Sequence, residues 1–229
     1  MNDLNGQKTL ESMSQAVWYN KWTLKKFESF LNGEILEIGC GIGNFTKSLT
    51  DYGQVWAIDI DNYNLTKTKR IIKRDKVGFG DIEKGEFFFN KKKFDTIVCI
   101  NVLEHIEDDI KAVKNLYQLL KPKGVLILLV PSHPTLYGQI DRSIGHFRRY
   151  SKNILNEILK KVGFKIIKSR RLNFLGSIGW FIAGKILKES KIKKDQVKIF
   201  NLFAPLVLKL EDLFEPPIGT SILTIAQRL

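Results

Sequence analysis

Residues 34–46 read EILEIGCGIGNFT: a short apolar run enters glycines at 39, 41 and 43, with a carboxylate, Glu37, two positions ahead of the first. Glycines at alternate positions let a ligand approach the main chain closely. A dinucleotide fingerprint would need a third glycine at position 44 or 46, where Asn44 and Thr46 stand; that glycine lets helix pack on strand beside a pyrophosphate. No Gly-Lys-Ser/Thr follows, so the loop is not a nucleoside-triphosphate cradle either. Glu37 would repel a phosphate. The ligand expected here is cationic at that end and carries no phosphate.

S-adenosylmethionine meets that description, with an ammonium, a sulfonium and no phosphate. The residues that follow agree with it. Asp59, 20 residues after Gly39 and followed by Ile60, closes the run VWAIDI, where a carboxylate can accept both hydroxyls of a ribose. Asp81 in GDIE is placed to reach an adenine amino group, with Ile82 against the ring. Asn101 to Leu103, including Val102, would floor the same cleft. Tyr19, in AVWYNKW, is a residue that could cover the cofactor.

A second group of reactive side chains lies at 131–151, PSHPTLYGQIDRSIGHFRRYS, which packs two histidines, three arginines, two tyrosines and an aspartate into 21 residues. Arg148 and Arg149 suit a phosphate or carboxylate on an acceptor, because guanidinium forks bind such groups bidentately. The competing role is an ion pair to Asp141 or Glu104 that anchors the loop. Adjacent residues of an extended segment point to opposite sides, so at most one of the two arginines faces the acceptor. His146 or His105 can take the proton of an acceptor hydroxyl, or can be a satisfied structural histidine; His133 is a third candidate. Glu104 and His105 also suit the start of a helix, with Glu104 at its positive end.

These groups need a scaffold that gathers loops along one edge. Apolar runs near 34–38, 54–60, 76–79, 94–100 and 124–130 alternate with amphipathic stretches, the pattern of a parallel sheet with helices on both faces. FDTIVCI and GVLILLV are continuously apolar, as strands covered on both faces are. KPKG at 121–124 is expected to stop the preceding helix with Pro122 and Gly124. SKNILNEILKKVGF reads as a helix capped by Ser151 and Gly163, with a stripe of Ile154, Leu155, Ile158, Leu159 and Val162. KIIKSRRLN and TSILTIAQRL supply a sixth and a seventh strand. The expectation is an α/β, doubly wound, mostly parallel seven-stranded sheet in a single domain, 1–229. A helical lid is expected at 1–30, and a helical insertion at 174–217 before the last strand.

Glu37, Gly39, Gly41 and Gly43, then Asp59, Asp81 and Leu103-Glu104-His105, taken in this order, resemble the class I S-adenosylmethionine-dependent methyltransferases. The resemblance covers about residues 16–172 and returns in the terminal strand. Tyr137, Asp141, Gly145, His146, Arg148, Arg149 and Tyr150 resemble the GHxRRY-type loop of a bacterial and archaeal subgroup often associated with glycan or lipid-linked sugar pathways. Residues 179–180 and 216–228 are similar to that subgroup's tail. The resemblance implies methyl transfer from S-adenosylmethionine, leaving S-adenosylhomocysteine, to an oxygen of a small-molecule, glycan or lipid-linked acceptor. Cofactor contacts fall to Tyr19, Glu37, Gly39, Gly41, Gly43, Asn44, Asp59, Ile60, Asp81, Ile82, Asn101 and Val102. Acceptor contacts fall to Tyr137, Asp141, His146, Arg148, Arg149 and Tyr150, and catalysis to His146, His105, Arg148 and Arg149.

Charge and composition bound the partners. The net charge is +13, of which 151–229 holds 15 Lys/Arg against 6 Asp/Glu and 61–93 holds 10 against 5. Such a balance attracts an anionic acceptor, a membrane surface or RNA, or is a lysine-rich solvated face. RNA is disfavoured, because INVLEH stands where an amino-methylating N-P-P-[YF] motif would, and no aromatic-studded basic sheet is visible. A non-catalytic cofactor-binding module is the reading from another class. Cys40 and Cys99 lie far apart with no C-x-x-C, so neither a disulfide scaffold nor a zinc site is expected, and no metal is. No apolar run spans a bilayer and the N-terminus lacks an apolar signal core, as expected of a cytoplasmic protein. The apolar, lysine-bearing 174–217 segment could cap the acceptor cleft, form a dimer contact or rest on anionic lipid; monomer and homodimer both stay open.

Overall fold

The computed structural model describes residues 16–183 and 194–229. Helix α1 (Val17–Lys25) leads into strand β1 (Glu34–Ile38), followed by α2 (Thr46–Leu49), β2 (Gln54–Asp59), α3 (Asn62–Thr68) and β3 (Val77–Asp81). Then come β4 (Glu86–Phe87), β5 (Phe94–Ile100), α4 (Asp109–Leu119), β6 (Leu120–Pro131), α5 (Gln139–Ser143), α6 (Lys152–Val162) and β7 (Phe164–Leu172). Helices α7 (Phe174–Phe181) and α8 (Lys194–Leu210) precede the terminal strand β8 (Ser221–Arg228). The strands form one sheet in the order β4-β3-β2-β1-β5-β6-β8-β7. β1 pairs in parallel with β2 and β5, β2 with β3, and β5 with β6, while β8 runs antiparallel between β6 and β7. The carboxyl ends of β1, β2, β5, β6 and β7 therefore open on one edge.

The sheet has eight strands, one more than its sequence suggests. The extra one is the two-residue β4, paired antiparallel with β3. Its cause is aromatic: Phe87, Phe88 and Phe89 follow a turn at Gly85 (φ +76°) and pack around Trp56 and Phe94. A run of two residues carries no periodicity that could announce it. KPKG also behaves differently from expectation. The helix has ended by Leu119, and residues 121–124 enter β6 through a register shift opposite Phe94 and Thr96.

Alternation along the strands sorts the core into two layers. Leu36 and Ile38 of β1, Ile97 and Cys99 of β5, and Leu126, Leu128 and Val130 of β6 pack on one face against α4 and α6. Ile35, Val98, Ile127 and Leu129 pack on the other, with Trp22, Phe27, Leu49 and Leu208. α6 is capped as its sequence requires: the Ser151 side chain accepts from the Ile154 amide, and Gly163 takes the left-handed conformation. Of its stripe, Leu155 and Leu159 are buried and Ile158 and Val162 partly so, whereas Ile154 is exposed.

The N-terminal helix is fastened to α8. Trp22 Nε1 donates to Leu208 O and to Asp212 Oδ1, both at 3.1 Å, and Lys26 pairs with Asp212. No helix among the described residues is long and apolar enough to cross a membrane. The expectations for 1–15 and for the lysines at 185, 188, 191 and 193 lie outside the described residues. Because Trp22 is buried at the α1–α8 seam, Trp22→Ala should cost about 3–5 kcal/mol, read by chemical denaturation. A loss below about 1 kcal/mol would show that the seam contributes little.

Candidate active site at the carboxyl edge of the sheet

The glycine loop bridges β1 and α2. Gly39, Gly41 and Gly43 all adopt positive φ, at +63°, +53° and +91°. A Cβ on Gly39 would lie 2.4 Å from Val102, and one on Gly43 2.2 Å from Ile71, so the turn tolerates only glycine there. Asp59, ending β2, clamps the loop: its Oδ2 accepts from Gly41 N at 2.8 Å, while Oδ1 accepts from Asp61 N at 2.8 Å and Asn64 Nδ2 at 3.3 Å. Glu37 points to the same region from β1 and accepts from Thr46 Oγ1 at 2.5 Å. Both carboxyls are buried. Desolvation pushes Glu37 up to about 8, with Asp59 adding to the rise, and desolvation also raises Asp59.

The rest of the cofactor set divides. Asn44 flanks the glycine loop and shares a shallow cleft with Val17, Asn20 and Lys21 of α1. Ile60 is exposed beside Asp59. Asn101 takes the left-handed conformation (φ +52°) directly after β5, its amide donating to Leu129 O at 2.8 Å, and Val102 meets Gly39. Asp81 is occupied locally, with Oδ1 accepting from Glu83 N and Lys84 N at 2.9 and 3.0 Å. Two expectations need correction. Ile82 is buried in the core layer with Leu36 and Ile58, so its side chain is not offered to a ring in the cleft. Tyr19 packs on Trp22 and Phe200, with its hydroxyl 3.4 Å from Asn173 Nδ2, and so belongs to the α1–α8 seam.

A second polar corner lies after β5 and β6. Glu104 and His105 sit in a short 3-10 turn, Leu103–His105. The loop 144–150 is pinned onto that turn: Phe147 N donates to Glu104 O at 2.8 Å, and Tyr137 Oη donates to His146 O at 2.8 Å. His146 Nδ1 lies 3.0 Å from Asp141 Oδ1, and its Nε2 is 3.8 Å from Glu104 Oε1. The His105 ring meets the His146 ring edge-on at 4.6 Å. Glu104 is wholly buried and neither carboxyl oxygen has a hydrogen-bond partner. Burial pushes it up to about 8, against a lowering by Arg149. His133, at φ +57°, has a buried Nε2 without a partner, and burial with Arg171 and Arg149 lowers its basicity.

Most of the expected acceptor contacts turn out to be structural. Arg149 is buried, donating to Asp141 Oδ1 at 2.8 Å and Ser132 O at 3.1 Å, with Trp180 4.5 Å from its guanidinium. Arg148 pairs with Asp109 at 2.9 Å and donates to Glu107 O at 2.6 Å. Both guanidinium groups are thus engaged by protein partners. Tyr150 is buried, its hydroxyl donating to Asp109 Oδ2 at 2.9 Å. Asp141 is buried and accepts from Arg149, His146 and the Gly138 amide, so it orients and does not touch an acceptor. In the sequence Glu104 reads as a helix opener or a loop-anchoring ion-pair partner, and Trp180 as part of the Gly-Trp pair of an apolar segment. No spacing in the chain announces that either faces the loop.

The donor set fits S-adenosylmethionine. Glu37 and Asp59 are buried carboxyls whose hydrogen bonds come from a hydroxyl, an amide side chain and backbone N–H groups, not from a cationic side chain. A cationic ligand would supply the missing charge. Without ligand, Glu37 holds its proton at pH 7; an ammonium beside it favours the carboxylate. Binding at pH 7 should therefore release up to about one proton, and affinity should rise with pH from 6 to 7.5. Calorimetry in buffers of different ionisation enthalpy reads this, and Glu37→Gln should abolish the release. Buffer-independent heats in the native protein would refute the placement.

Residues 19–169 match a family described as a methyltransferase domain. An uncharacterised protein of Methanocaldococcus jannaschii is 30% identical over 84% of this chain and 77% of its own length. The ubiquinone biosynthesis O-methyltransferase of Rickettsia bellii is 30% identical over 47% of this chain and 47% of the enzyme, so the chain spans about half the length of that relative. Among solved structures, the N-methyltransferase NodS of Bradyrhizobium japonicum, in complex with S-adenosyl-L-homocysteine, shares the fold with a TM-score of 0.57. It is 18% identical, over 91% of this chain and 84% of that one. With the glycine loop, the two buried carboxyls and the sheet order beside these matches, the chain belongs to the S-adenosylmethionine-dependent methyltransferases of the methyltransferase-domain family.

Proposed function

We propose that this protein transfers the methyl group of S-adenosylmethionine to an oxygen of a small-molecule, glycan or lipid-linked acceptor held at the Glu104–His105–His146 corner. One observation carries the reading: Glu104 is a fully buried carboxyl with no hydrogen-bond partner, facing an imidazole whose other nitrogen is tied down by Asp141. A buried polar group left unsatisfied costs stability, so its persistence points to use. The relative named as a ubiquinone biosynthesis O-methyltransferase supports oxygen as the target atom.

S-adenosylmethionine supplies a methyl on an already activated sulfonium leaving group. The protein is left to align the acceptor and exclude water. Glu37 and Asp59 anchor the donor on the glycine-loop side. His146, held by Asp141, and His105 beside it receive the hydroxyl proton on the other side. Helix α1 and the described helices α7 and α8 together cover the site within a single domain. For the second of these, the support is Trp180 of α7 lying over Arg149.

His146→Ala should lower turnover by about 10²–10⁴-fold while cofactor affinity stays unchanged. Incubation with labelled S-adenosylmethionine and fractionated cell extract tests the acceptor class. Label should enter small-molecule, glycan or lipid fractions. Label in RNA alone would favour a nucleic-acid methyltransferase, and intact cofactor binding with no label in any fraction would favour a non-catalytic module.

A further inference from the structure

Glu104 and His105 are neighbours in the turn after β5, and His146 returns to them from the loop behind α5. One donor atom from each lies within 4.8 Å of the others. We propose that Glu104, His105 and His146 bind a divalent first-row transition-metal cation, with open coordination positions for water or an acceptor oxygen. Nothing in the residue spacing announced this, because the metal expectation rested on cysteines.

Three features of the corner support the assignment. Glu104 is wholly buried with both oxygens lacking a hydrogen-bond partner, and one of them lies 3.8 Å from His146 Nε2. His146 is held through Nδ1 by Asp141 at 3.0 Å, which leaves Nε2 toward Glu104 at 3.8 Å. A carboxylate on the far nitrogen of an imidazole fixes its tautomer and raises its strength as a ligand, the arrangement found behind metal-bound histidines. Asp141 is fixed in turn by Arg149 at 2.8 Å. Finally, two imidazoles and one carboxylate are the donors of zinc and of open two-histidine, one-carboxylate centres, and are poorly suited to Mg²⁺ or Ca²⁺.

Ligands around an ion at bonds of about 2.1 Å sit roughly 3.3 Å apart, so the triangle must contract on binding. His105 is exposed and is the ligand with room to move. An ion here would polarise an acceptor hydroxyl directly, in place of an imidazole base, because a ring nitrogen that ligates the ion cannot also take the proton. That consequence rests on the function proposed above, whereas the metal site does not.

The full chain, stripped with a chelator and titrated with Co²⁺, should take up one equivalent with visible d–d absorption that Zn²⁺ displaces. Glu104→Gln and His105→Asn should each weaken Co²⁺ binding at least ~10-fold, on the scale that single changes around metal sites produce. Should Glu104→Gln fail to fold, the exposed His105→Asn decides alone. Absence of a single saturable equivalent, or wild-type Co²⁺ affinity in the folded variants, would overturn the site. Stoichiometric Co²⁺ binding without methyl transfer to any acceptor would support the site and count against the function.

Discussion

The buried carboxylate of Asp141 is the contact on which the proposed acceptor side of this protein depends. It accepts from the Arg149 guanidinium, the His146 ring and the Gly138 amide. Hydrogen bonds from these donors hold it below the usual carboxylate range despite burial. Through Arg149 it reaches the carbonyl of Ser132 at the end of β6 and the ring of Trp180 in α7. One side chain thus ties the loop after α5, the main strand edge and the helices before β8 into a single wall. A buried ion pair gains little net stability against an apolar replacement, but removing one partner leaves an uncompensated charge. Its value here is positional: it aims His146 at Glu104.

Four buried carboxyls gather at the carboxyl edge of a strongly basic chain. The chain carries +13 overall, yet the carboxyl edge concentrates Glu37, Asp59, Glu104 and Asp141. Of these only Asp141 is paired with a buried cation. Burial drives Glu37 and Glu104 up to about 8, which is what low-dielectric surroundings do to carboxyls left without a counter-charge. Glu37 and Glu104 lie at the two ends of the proposed reaction path, one beside the glycine loop and one beside the histidines. The net positive charge acts over a longer range than these buried groups.

Exposed apolar side chains occur on α8 and just beyond it, with Leu202 and Leu206 in the helix and Leu213 and Phe214 after its end. The inner side of α7 and α8 is nevertheless well tied. Glu211 accepts from the amides of Asn173 and Phe174 at 2.8 and 2.7 Å, capping α7, and Arg170 donates to Glu211 O at 2.6 Å. The segment is therefore seated on the sheet edge by its polar contacts while its outer face stays apolar.

The sequence by itself determined the sheet, the glycine loop and its ligand class. Strand faces alternate with period two, glycines at positive φ are irreplaceable, and a carboxylate before them rejects phosphate; each is a local constraint written in neighbouring residues. It was silent on β4, where Phe88 and Phe89 find Trp56 and Phe94 across the fold. It also left the roles within GHFRRYS open between catalysis and anchoring. Only the tertiary structure decided those, committing Arg148, Arg149 and Tyr150 to Asp109 and Asp141 and leaving Glu104 facing His146. The reason is physical: a side chain's role depends on which partners burial brings within about 3 Å, and here those partners come from strands and loops that chain order keeps apart.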